Sequence, residues 1–162
     1  MRSKKNKSGE PVSVYNAQKK VKISVWKCRE RAGKILRLLA KTKKHRLTPA
    51  TAVNFRFVDN AEIKKWHRNF LGDPAPTDVM AFSMREGRRL KSPEEALGDV
   101  VISVETARTQ ARQFGKTLDE ELTLYMIHGV LHLLGYDDLR PSQKKVMDRL
   151  QFSLLKKVMH EL

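Results

Sequence analysis

The chain has 162 residues and is 40% apolar, enough for one domain with a filled core. No apolar run approaches the roughly 18 residues of a membrane span. The basic opening "MRSKKNKSGE" lacks the apolar stretch of a secretory signal, and the lone Cys28 excludes a disulfide framework or a cysteine zinc cluster, so the chain reads as cytoplasmic. Residues 1–46 carry 16 of the 33 basic side chains and two acids, Glu10 and Glu30, a net +14. The other 116 residues carry 17 basic and 16 acidic side chains, a net +1. A polyanion such as RNA gains from that cationic end through counterion release.

In chain order, residues 1–11 read as a flexible basic tail and 12–162 as one domain. "VSVYNAQ", 12–18, alternates as a strand does. Ser24 caps a helix through "VWKCRERAGKILRLLAKTK", with Val25, Cys28, Ile35, Leu38 and Leu39 inward. Lys27, Arg31, Lys34, Arg37 and Lys41 on that helix are candidate RNA contacts. Residues 51–58 form a strand with Val53, Phe55 and Phe57 on one face. A helix over 60–69 follows, then the turn "GDPAPT" and a strand over 78–84. A polar loop containing Arg88 and Arg89 leads to a strand over 97–104. Helices are expected over 105–114, 117–134 and 142–160. Arg68, Arg88 and Arg89 join the RNA-binding candidates.

The chemistry concentrates in "HGVLHLLGYDD", 128–138. Thr117 and Glu120 form a capping box that starts the helix. His128 and His132 are four apart and share its face. Gly135 supplies the left-handed residue that ends the helix and turns the chain back. Asp138 then returns beside the imidazoles. Two nitrogens and one oxygen make a three-ligand site with the fourth position open for water, as catalytic zinc requires. The spacing is similar to the zinc-protease helix. However, Gly129 stands where those enzymes carry their glutamate base, which disfavours a peptidase.

These residues resemble the YbeY family of metallo-endoribonucleases, whose signature is HGxLHLxGYDH. "PTDVMAFS", 76–83, and "LGDVVIS", 97–103, resemble its PTDVLSFP and LGDIxIS. The resemblance spans roughly residues 12–160. It implies a single α+β domain, with a small mixed four-stranded sheet packed with about five helices. It also implies one zinc-type ion per chain, with Mn²⁺ possible, at His128, His132 and Asp138, where the two histidines act through metal-bound water. The function implied is single-strand RNA cleavage in ribosomal RNA maturation, including the small-subunit 3′ end, and in ribosome quality control. The partners implied are ribosomal RNA and the ribosome, with no membrane. Thr77, Asp78 and Asp99 fall where the resemblance places a cleft, as substrate or second-layer groups.

Two positions depart from the pattern. Asp138 replaces the usual third histidine. It adds a negative charge that makes bound water less acidic and favours harder ions. Leu71 occupies the place of a family arginine, for which Arg68 is a candidate substitute. Two other functions stay open: a non-catalytic, metal-stabilised RNA-docking assembly factor, and a metallohydrolase of peptides or small molecules. Asp137 is a weaker alternative ligand. His45, His67 and His160 lie away from the motif and are expected on the surface. Trp26, Trp66 and Tyr136 are expected to pack.

Overall fold

The computed structural model describes residues 12–71, 78–84 and 96–160. The tail 1–11, the turn with Thr77 and the loop with Arg88 and Arg89 lie outside the described residues. Strands β1 (Val12–Asn16), β2 (Ala52–Val58), β3 (Val79–Ser83) and β4 (Ala96–Ser103) form one mixed sheet in the order β1-β2-β4-β3. β1 runs parallel to β2 and β2 to β4, whereas β3 is antiparallel to β4. Among the described residues five helices pack with the sheet: α1 (Val25–Ala40), α2 (Asn60–Leu71), α3 (Val104–Gln113), α4 (Leu118–Leu133) and α5 (Pro141–His160). A single 3₁₀ turn, Lys43–His45, follows α1.

The local causes are legible. β1 stops at Asn16 because the Gln18 side chain closes the next turn. Its amide donates to the Val21 carbonyl at 2.8 Å, and its oxygen accepts from the Val21 N–H at 2.9 Å. Ser24 caps α1 by accepting from the Lys27 N–H at 3.3 Å. The inward stripe of α1 is Cys28, Ala32, Ile35, Leu36 and Leu39. Burial, followed by the charge of Asp119, pushes the Cys28 thiol up to about 11, so it stays protonated and inert. Ser103 starts α3 by accepting from the Thr106 N–H at 3.2 Å.

The sheet's two faces have different partners. Val53, Phe55, Phe57, Val100 and Ile102 join α1, α4 and α5 in the main core. Val58, Met80 and Val101 pack with Ile63 of α2 on the other face. On the main face α4 comes very close to β4. A Cβ placed on Gly129 would lie 2.4 Å from a Val100 methyl, so only glycine allows this approach. That position therefore lacks both a base and the space for one.

Candidate metal centre

α4 starts at Thr117, whose hydroxyl accepts from the Glu120 N–H at 3.1 Å and donates to the Glu120 carboxylate at 3.2 Å. Glu120 thus reaches back to the hydroxyl of the cap. The other end is a Schellman turn: the Tyr136 N–H donates to the Leu131 carbonyl and the Gly135 N–H to that of His132, both at 3.0 Å. Gly135 has φ 96, the left-handed conformation the turn needs. The chain reverses there and brings Asp138 back over the last turn of α4.

The ring Nε2 atoms of His128 and His132 are 3.0 Å apart. Asp138 presents one carboxylate oxygen 3.9 Å from the first and the other 4.0 Å from the second. Tetrahedral ligands bonded at about 2.1 Å stand roughly 3.4 Å from one another. The three separations bracket that value, so small rotations suffice to close the set on one ion. Each of the three side chains is between 27% and 40% exposed, so the group is open on one side.

The protonation pattern also fits a metal. The Nδ1 of His128 lies 3.0 Å from the Gln151 side-chain oxygen on α5, and an amide oxygen only accepts. Nδ1 therefore carries a proton, which leaves Nε2, on the side of Asp138 and His132, as the ring's ligating nitrogen. Gln151 is buried and is oriented by its own donation to Asp148 at 3.2 Å. The ring of His132 hydrogen-bonds to the Tyr136 backbone. Burial, and then the neighbouring His128, hold the His132 imidazole below its ordinary range, which favours its neutral, ligating form.

Other candidates fall elsewhere. Asp99 pairs with Phe82 across the sheet and accepts from the Asn54 amide at 2.8 Å. It lies beside Val101, on the α2 face and away from α4, so it does not orient the histidines. Asp78 faces the Tyr125 hydroxyl on α4, one turn before His128. Burial first, then the charges of Asp78 and Glu121, push that phenol well up. Lys27 and Arg31 reach Asp119 at 4.0 and 3.4 Å, tying α1 to α4. Arg37 is exposed on α1 and Lys41 at its C-cap, Lys34 is half-buried on the helix, and Arg68 is exposed near the end of α2.

Three expectations about packing are corrected. Trp26 is 67% exposed because it lies on the outer ridge of α1. His67 is buried. His45 is not remote from the motif, since its Nε2 is 2.8 Å from the Tyr136 hydroxyl. Trp66 does pack, stacked 5.3 Å from Phe70 and tilted against Phe82 at 5.8 Å.

Residues 13–159 match the family model described as Endoribonuclease YbeY. The chain belongs to that family. It is 45% identical to the Endoribonuclease YbeY of Pelotomaculum thermopropionicum over 64% of this chain and 69% of that one. With the Syntrophus aciditrophicus protein of the same name the identity is 38%, over 78% and 74% of the two chains. The solution structure of a Thermotoga maritima protein aligns with a TM-score of 0.62 and 28% identity, over 93% of this chain and 90% of that one. The YbeY fold and the group formed by His128, His132 and Asp138 thus occur together here.

Proposed function

We propose that this protein is a metal-dependent endoribonuclease that cleaves single-stranded RNA during ribosomal RNA maturation. Zinc is the favoured ion, with manganese the alternative. The observation that carries the reading is the convergence of two Nε2 atoms and a carboxylate within 4.0 Å, with His128 turned by Gln151. A divalent ion held there would supply Lewis acidity toward a phosphate oxygen and activate water. His128 and His132 present their Nε2 atoms toward that position. Asp138 balances charge and leaves one side open to substrate. Gly129 leaves no room for the glutamate base of zinc peptidases, which weighs against peptide hydrolysis.

Substrate attraction comes from the cationic end of the chain, where Arg37 is exposed on α1 and Lys41 at its C-cap. Single-stranded RNA suits an open site, because its unstacked bases can be splayed across the surface. No helix among the described residues is long and apolar enough to cross a membrane. A cytoplasmic location and ribosome association, including a part in ribosome quality control, belong to the same proposal.

The test is cleavage of a single-stranded ribosomal RNA fragment by zinc- or manganese-loaded protein. Cleavage lost in His132→Ala and after chelation supports the enzyme. RNA binding without cleavage by any metal form would replace it with the docking factor.

A further inference from the structure

The turn that delivers Asp138 has a second wall, built from the 3₁₀ turn after α1. The Nδ1 of His45 is 3.0 Å from the Leu39 carbonyl, which only accepts, so Nδ1 carries the proton. Its Nε2 is hydrogen-bonded to the Tyr136 hydroxyl at 2.8 Å. The two rings meet edge-on with centroids 5.9 Å apart. The Lys44 ammonium lies over the Tyr136 ring, 5.8 Å from its centroid. Arg46 follows in the left-handed conformation, φ 54, with its N–H donating to the Lys43 carbonyl. An open cleft of about 330 Å³ lies between Lys44, His45 and Arg46 on one side and Leu134, Gly135 and Tyr136 on the other.

The chemistry of this cleft favours an anion. Two of its six lining residues are cations and none is acidic. His45 uses its two ring nitrogens on the Leu39 carbonyl and the Tyr136 hydroxyl, so His45 and Tyr136 form a fixed wall and leave Lys44 and Arg46 to meet the ligand. The cleft and the metal centre share a loop, because Gly135 and Tyr136 stand three and two residues before Asp138. A chain of phosphates crossing that loop would touch both.

We infer that this cleft binds a phosphodiester of the RNA strand next to the one presented to His128, His132 and Asp138. Lys44 and Arg46 supply the charge, and the His45–Tyr136 pair fixes the wall. The inference rests on the ribonuclease reading proposed above.

The experiment compares the full chain with the double variant Lys44→Ala, Arg46→Asn. Asparagine tolerates the left-handed backbone at position 46, so the turn is kept. The probes are a short single-stranded RNA and the same RNA with one neutral methylphosphonate linkage beside the cleaved bond. Loss of two charged contacts should raise KM about tenfold or more. It should also flatten the slope of log affinity against log salt by about 1.4, at ~0.7 per contact. Bound metal should not change. The neutral linkage should weaken binding to the wild type but add little to the defect of the variant. Lys65→Ala, on α2 across the sheet, should change neither quantity. Unaltered KM and salt slope in a variant of a wild type that does cleave would overturn the cleft alone. A wild type that neither binds nor cleaves either RNA would overturn both the cleft and the ribonuclease reading.

Discussion

Gln151, in the middle of α5, accepts the Nδ1 proton of His128 on α4 at 3.0 Å and so turns the free Nε2 toward Asp138. Twenty-three residues separate the two positions. The hydrogen bond fixes ring orientation and tautomer together, which a helix by itself does not do. Gln151→Leu puts an apolar side chain of similar bulk in the core but leaves the ring unsupported. Metal affinity is expected to fall about 10- to 100-fold, the usual effect of losing such a partner. Gln151→Glu keeps an acceptor at the same reach and should hold metal far better. Competition with a chelator of known affinity measures both. Equal affinity in wild type and Gln151→Leu would mean that the bond does not orient the ligand.

Gly129 sets the approach of α4 to β4, since its Cβ position is 2.4 Å from one Val100 methyl and 3.0 Å from the other. Gly129→Ala forces helix and strand apart. The expected cost is about 1–3 kcal/mol of stability, in spite of alanine's better helix propensity. Urea denaturation gives the value. A more stable variant would show that the contact relaxes freely.

The basic residues of α1 should separate into two classes. Arg31 is 19% exposed and paired with Asp119 at 3.4 Å, so Arg31→Ala should cost up to about 1 kcal/mol of stability. Arg37 is exposed on the same helix and Lys41 at its C-cap. Their replacement by alanine should leave stability alone and flatten the salt dependence of RNA binding by about 0.7 per lost contact. Thermal melts and binding titrations across a salt series distinguish the classes. The same RNA effect from Arg31→Ala as from Arg37→Ala would contradict the division.

Glu121 is buried on α4, with the Lys116 ammonium at 3.8 Å. Burial raises its pKa above the ordinary carboxylate value, and Lys116 only partly offsets this. A raised native pKa favours the protonated form in the fold. Its stabilising contribution is therefore complete below the unfolded value, near 4.3, and is lost as pH rises through the native one. Glu121→Gln stays neutral throughout. It should melt higher than wild type at pH 7, and the difference should close as pH falls toward 4. A gap that stays constant with pH would assign the effect to packing instead.

Much of this arrangement was legible in the sequence where the signal is local. The alternation of Val53, Phe55 and Phe57 places one face of β2 in the core, and Ser24 and Thr117 mark helix starts by a three-residue reach. Gly135 predicts the reversal that brings Asp138 back. Contacts across the chain were not legible. Gln151 had one usable sign: it interrupts the buried stripe Met147, Leu154 and Val158 with a polar group, which implies a partner. His45 had none, because 91 residues separate it from Tyr136. Asp99 was placed by resemblance near the cleft, yet the two-residue period of its strand puts it on the opposite face from Val100.

Zinc stoichiometry in wild type, His128→Ala and Asp138→Ala, measured side by side with Asp138→His, decides whether these three residues hold a metal ion. The wild type should hold one ion per chain. Either alanine variant leaves two ligands, too few for a stable site, and metal should drop sharply. Asp138→His should retain the ion with one less negative charge, and its cleavage of RNA should extend to lower pH. A wild type that binds no ion at saturating zinc, or alanine variants that hold as much as wild type, would contradict the account.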